Sequence, residues 1–173
     1  MAKHKGHAVL VDAARILATH RPSLRFLLAG SGELEEALRH RIAEWQLEGM
    51  FRLLGFNEDV SRLLPALDLL AFPSLSGEGS PAVLKEAMAC GVPIVASHIS
   101  GVEEVIRDGR EGLLVPPGDP DALAEAILRF ATNRSLGIEF GRRGREHACD
   151  FGVDRMVQST EELYRNLLGD HFS

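Results

Sequence analysis

The chain has 173 residues, 45% of them apolar, with two cysteines and a formal net charge of −6. That size and composition suit one hydrophobic core and predict a single domain over 1–173, and the acidic balance argues against a nucleic-acid partner, because phosphate backbones recruit clustered Lys and Arg. No apolar run reaches membrane-spanning length, no signal peptide opens the chain, and Cys90 and Cys149 form no Cys-x-x-Cys pair, so the expectation is a cytoplasmic protein without direct membrane insertion.

The basic start Lys3-His4-Lys5-Gly6-His7 is too short to alter the charge argument. Helical periodicity follows over His7 to Thr19, and Leu24 to Ala29 reads as a short buried strand. The turn Gly30-Ser31-Gly32 after it fits a plain turn and a close backbone approach to a nucleotide equally well. It is not a dinucleotide fingerprint, because Glu35 stands where the third glycine should be. Helical spacing returns over Glu33 to Trp45, with Glu35 and Arg39 as an i, i+4 surface pair. Phe51 to Leu54 is strand-like and ends at Gly55, part of Asp59 to Ala66 is helical, and Leu69 to Phe72 is a further buried strand.

The next block, Pro73-Ser74-Leu75-Ser76-Gly77-Glu78-Gly79-Ser80-Pro81-Ala82-Val83-Leu84-Lys85-Glu86, is the most informative. It reads as a turn-rich loop from Pro73 to Gly79 and a helix from Ala82 to Cys90 that Gly91 and Pro93 close off. Ser80 is expected at the N-cap and Pro81 at the first helical position, where a missing N–H costs nothing. The free N–H groups of Ala82, Val83 and Leu84, together with the helix dipole, favour an anion such as a diphosphate. Glu78 precedes that anion site and Glu86 lies more than a turn beyond it. Carboxylates accept two hydroxyl bonds at once, so this layout suits a nucleotide sugar. Spacing alone fits a solvated loop residue and an ordinary surface ion pair at least as well.

Beyond the block come a strand over Ile94 to Ala96, a helical turn over Val102 to Arg107 and a strand over Leu113 to Val115. Asp119-Pro120 reads as N-cap and first position of a helix to Phe130. A last helix, Met156 to Leu168, places Met156, Thr160, Leu163 and Leu167 on one face. The alternation predicts an α/β, doubly wound parallel sheet, in which ligands bind at the carboxyl ends of the strands. Gly32, Gly55 and Pro73 follow strands and so share an edge with Glu78. The seven histidines form no metal-ligand set, and His98, just after a strand, is the one of interest.

The block resembles the Glu-x7-Glu signature of retaining GT-B glycosyltransferases, in particular family 4, the glycosyl transferases group 1. The usual form there is Pro-Ser, Glu-Gly-Phe-Gly, four residues, then Glu-Ala-Met-Ala-x-Gly-x-Pro-Val-Val-Ala. Lys5-Gly6, Phe26 to Gly32, Phe51 to Gly55, Gly101 to Ile106 and Gly112 to Asp119 resemble further pieces of that family in the same order. The resemblance implies a donor-binding C-terminal domain of Rossmann-like form. Glu86 would bind the nucleotide ribose, Glu78 the donor-sugar hydroxyls, and Lys5 would neutralise the diphosphate, with no metal and no covalent nucleophile. Gly30, Gly32, Gly55, Gly79, Ser80, Ala82, Val83 and Leu84 would line the nucleoside diphosphate sugar, of UDP, GDP or ADP type.

Two departures stand out. Gly-Phe-Gly of the family is Gly79-Ser80-Pro81 here, which removes one backbone donor and adds a hydroxyl. The family also carries a strand with an Arg five positions before the Lys, and counting back five from Lys5 runs past Met1. The expectation is therefore a sheet lacking its first strand, with a slot between the Phe26 and Phe72 strands, in a chain that is the donor half of an enzyme and inactive alone. The acceptor, a glycan or lipid-linked glycan, would sit on an absent N-terminal domain, with the full enzyme peripheral to the inner face of the membrane and engaged in bacterial polysaccharide or lipopolysaccharide synthesis. Two rivals are a glycosidase using Glu78 and Glu86 as acid and base across roughly 5 to 10 Å, and a non-catalytic nucleotide-binding or interaction module.

Overall fold

The computed structural model describes residues 1–56 and 59–168. Strands β1 (Phe26–Ala29) and β2 (Phe51–Gly55) pair in parallel, with Phe26 opposite Phe51 and Leu28 opposite Leu53. Strands β3 (Leu70–Phe72), β4 (Ile94–Ser97) and β5 (Gly112–Val115) form a second parallel ladder in that order. Among the described residues β1 and β3 are each the last strand of their ladder and do not pair with one another.

The helices are α1 (His7–Ala18), α2 (Glu35–Glu44), α3 (Val60–Leu63), α4 (Ala82–Cys90), α5 (Pro120–Thr132), α6 (Arg134–Ala148) and α7 (Val153–Leu168). All four residues of β4 are buried, and its side chains alternate between two cores. Val95 joins Leu28 of β1 and Leu10, Val11, Ala14 and Leu17 of α1, with Leu123, Ile127 and Phe130 of α5. Ile94 and Ala96 join Leu84, Ala87 and Met88 of α4 and the loop residues Val102 and Ile106. Helix α1 thus packs apolar side chains against both ladders at once, and burial of that stripe joins what hydrogen bonds leave separate.

Most expected elements are present within a residue or two. Asp119 caps α5 by accepting the Ala122 N–H at 2.9 Å, and Arg39 donates to Glu35 at 2.7 Å. Val102 to Arg107 is not a helix: Val105 and Ile106 turn back to the Val102 carbonyl and the run goes no further, because Gly101 enters with φ 82° and Glu111 draws off the Arg107 N–H. The buried Glu111 carboxylate pairs with the Arg107 guanidinium there, so this segment is a charge-pinned loop.

Helix α6 escapes the sequence reading because Gly137, Gly141 and Gly144 lower its helical propensity. These glycines face its neighbours. A Cβ on Gly141 would lie 2.0 Å from the Gly91 carbonyl oxygen, and one on Gly144 would lie 3.3 Å from Met88 Cγ. Arg145 donates to the Cys90 carbonyl at 2.9 Å, so the end of α4 is satisfied by α6. By contrast α7 is exposed throughout, and its apolar side chains Met156, Leu163 and Leu167 share a solvent-facing stripe.

Gly141→Ala should therefore lower stability by about 1–3 kcal/mol through overpacking against α4, whereas Gly49→Ala, at a position with nothing within 4 Å, should be near neutral. Urea denaturation midpoints at constant slope measure both.

Candidate functional site

The loops after β1, β2 and β3 meet at one edge of the molecule, the carboxyl ends of the strands. Gly30 donates its N–H to the Gly55 carbonyl at 2.7 Å, which ties the first two loops together. The segment Met1 to Lys5 crosses between the ladders: the Leu34 N–H donates to Met1 O at 3.3 Å and the Leu75 N–H to His4 O at 2.6 Å. A 3-10 turn, Lys3–Lys5, ends at Gly6 with φ 66°. A Cβ on Gly6 would sit 1.8 Å from the Pro73 carbonyl oxygen, so a glycine is required for Lys5 to approach the loop after β3.

That approach brings Lys5 onto Glu78. The ammonium donates to Glu78 Oε1 at 2.8 Å and Oε2 at 3.0 Å, and it lies 5.9 Å from the Phe72 ring centroid. The Ser74 hydroxyl donates to Glu78 Oε1 at 2.9 Å. Ser74 is 1% exposed, and the Glu78 side chain is 14% exposed against 39% for Lys5. The Glu78 main chain is held as well. Its N–H donates to Ser100 O at 3.1 Å, and Gly101, φ 82°, lies so close that a Cβ there would be 1.8 Å from the Glu78 carbonyl oxygen. Partial burial pushes the Glu78 carboxyl up, but the Lys5 ammonium and the Ser74 hydroxyl outweigh it and leave the group below its ordinary value.

Helix α4 begins one residue later than expected. Pro81, φ −61° and ψ 113°, is the N-cap, and among the described residues no side chain caps the helix. Ser80 is exposed and outside the helix, because Pro81 in this extended conformation pushes the helix start onto Ala82. Leu84 returns its N–H to Pro81 O at 3.3 Å, so the outward-facing donors are those of Ala82 and Val83 rather than all three. Ala82 and Glu86 are exposed on one helix face, opposite the buried Leu84, Ala87 and Met88. Among the described residues nothing pairs with the Glu86 carboxylate.

The glycines divide by environment. Among the described residues, nothing would lie within 4 Å of a Cβ on Gly30 (φ 121°) or Gly55 (φ 70°), and Gly79 is equally open. Gly32 is different: a Cβ there would be 1.9 Å from the Met1 nitrogen, so its lack of a side chain serves chain packing. His98 pairs with Glu103 at 3.0 Å on the surface. Among the described residues no three His, Cys, Asp or Glu side chains gather as metal ligands, and no helix is long and apolar enough to cross a membrane.

Sequence reasoning named Lys5 and Glu78 but not the residues that fix them: Gly6 as a contact surface, Ser74, Ser100 and Gly101. Ser74 and Gly101 stand in segments already singled out: Ser74 reaches Glu78 four residues along the same loop, and Gly101 meets it from a separate segment.

The family profile described as glycosyl transferases group 1 matches residues 1–133. The amylovoran biosynthesis glycosyltransferase AmsK of Erwinia amylovora is 38% identical over 138 residues, 76% of this chain and 34% of that protein. The crystal structure of Anabaena HepE in complex with UDP-glucose superposes with a TM-score of 0.87 at 30% identity, over 96% of this chain and 46% of that one. The C-terminal domain of a Francisella tularensis group 1 glycosyl transferase, LpcC, shares the fold at TM-score 0.78 and 20% identity, covering 86% of this chain and 80% of that one.

Since the folded Glu78 carboxyl titrates below its ordinary 4.5, the Lys5–Glu78 link adds stability that is complete above that pH and is lost as pH falls through the lower folded value. Thermal melts of the wild type and Glu78→Gln should differ at neutral pH and converge in acid. A gap that persists unchanged at pH well below 4.5 would contradict this assignment.

Proposed function

The chain belongs to the glycosyl transferases group 1 family, and we propose that it is the donor-binding half of a retaining enzyme, holding a uridine diphosphate sugar whose glycosyl group passes to an acceptor hydroxyl. The observation that carries this reading is the Lys5–Glu78–Ser74 cluster at the strand ends that lead into the uncapped start of α4. The uridine nucleotide is supported by the HepE complex with UDP-glucose.

In this reading Lys5 and the N–H groups of Ala82 and Val83 stabilise the charge that grows on the departing diphosphate. Glu78 accepts hydroxyls of the donor sugar, and the unpaired Glu86, one turn along the exposed face from Ala82, accepts those of the ribose. Gly30, Gly55 and Gly79 leave open backbone for the nucleotide to approach. A pair of good hydroxyl acceptors flanking a cluster of N–H donors matches a sugar, a diphosphate and a ribose in sequence. The glycosidase alternative fares worse, because it gives no role to the outward N–H donors of Ala82 and Val83 at the start of α4, between the two carboxylates.

The chain spans 34% of AmsK and 46% of HepE. We place the acceptor site on a second domain and expect this part alone to bind nucleotide without turning over. The relative in amylovoran biosynthesis supports a glycan acceptor and a role in bacterial envelope polysaccharide assembly.

A thermal-shift panel of UDP, GDP, ADP and UDP-glucose tests the reading, since a ligand specific for the folded state raises Tm by mass action. UDP and UDP-glucose should raise Tm, and no shift with any of the four overturns the proposal. Glu86→Ala should weaken UDP binding by about 1.5–3 kcal/mol, the scale of hydrogen bonds to a charged acceptor; isothermal calorimetry giving equal affinity would remove Glu86 from the ribose.

A further inference from the structure

Glu78 has two side-chain partners of very different kinds. Lys5 is 39% exposed at the end of a flexible four-carbon stem, and it grips both carboxylate oxygens. Ser74 is 1% exposed, immediately follows β3 and its neighbour Pro73, and donates a single bond to Oε1. Pro73 and Ser74 are both buried, and the following Leu75 N–H is bonded to His4, so the Ser74 backbone is fixed on both sides.

A diphosphate competes for Lys5. It carries more charge than one carboxylate and bonds through several oxygens, so an occupied site draws the ammonium away from Glu78. The carboxylate then loses both of its Lys5 bonds. What remains on its side chain is the Ser74 hydroxyl, which is too buried to follow a ligand. That bond uses Oε1 and leaves Oε2, together with the second lone pair of Oε1, to accept sugar hydroxyls.

We propose that Ser74 is the positioning residue that keeps the Glu78 carboxylate aimed at the donor's sugar hydroxyls once Lys5 turns to the diphosphate. The inference rests on the donor-binding reading above and adds to it a residue that need touch no ligand. Ser74 acts through Glu78, so its removal weakens recognition of the sugar and spares recognition of the nucleotide. Lys5, by contrast, acts on the diphosphate, and its loss weakens both.

The test is calorimetry of this chain with UDP and with UDP-glucose, for the wild type, Ser74→Ala, Glu78→Ala and the double variant. Ser74→Ala should lose about tenfold in affinity for UDP-glucose, as expected for one hydrogen bond to a charged group, with UDP affinity unchanged. In the Glu78→Ala background the same substitution should have no further effect, the sign of two groups acting as one. Equal loss for both ligands, no loss for either, or full additivity in the double variant overturns the proposal. A wild type that binds neither ligand removes the donor-binding reading instead, and a second measurement then decides on Ser74: carbon-13 titration of the Glu78 carboxyl should show a higher midpoint in Ser74→Ala. An unmoved midpoint overturns the Ser74–Glu78 linkage independently of any nucleotide.

Discussion

The rest of this structure depends on the way α1 and the six residues before His7 bridge two ladders that, among the described residues, share no hydrogen-bonded strands. The apolar stripe of α1 is buried in one core with Leu28 of β1 and Val95 of β4. At its amino end the chain bonds to the loops that follow β1 and β3. Non-directional burial sets the distance between the ladders, and directional backbone bonds set their register at the strand ends. Every candidate ligand-contacting residue sits on that edge, so the bridge fixes the site as well as the core.

At the site, electrostatics and sterics divide the work. Gly6 and Gly101 bring main chains together closer than any side chain allows, one beneath Lys5 and one beneath Glu78. Those contacts place the two charges within hydrogen-bonding distance before any charge–charge energy is counted. The ion pair is only partly buried, so water screens it and it contributes modestly to stability. It also lowers the pH at which Glu78 would give up its charge, and with it part of its capacity to accept hydroxyls. In the proposed role Glu78 does no covalent chemistry and needs only to be a fixed acceptor beside a concentrated positive potential.

The fold was legible where one local signal dominates. Ile94 to Ala96 and Leu113 to Val115 are apolar runs with no competing pattern, and Asp119-Pro120 states a helix start in two residues. Of the candidate site, Lys5 and Glu78 stood out by resemblance and lie in contact in the structure, and Glu86 stands exposed on α4. The failures have a shared cause. Helix α6 carries three glycines whose value lies in the surface they present, Gly141 and Gly144 to α4 and its end and Gly137 to Pro93 and Phe130, and Val102 to Arg107 looks helical until Glu111, four residues beyond Arg107, competes for its backbone. Ser80 has the right chemistry for a cap, yet the conformation of Pro81 moves the helix start past it. Each miss turns on a contact or a backbone conformation that residue preferences alone do not state.

Lys5 and Glu78 are separated by 73 positions in the chain. A contact of that span closes a long loop, which is slow to find and comes after local structure in folding. The pair is also anchored on one side by a short 3-10 turn with no buried residues of its own. The site is thus placed to open by local release of the leading segment while both cores stay folded.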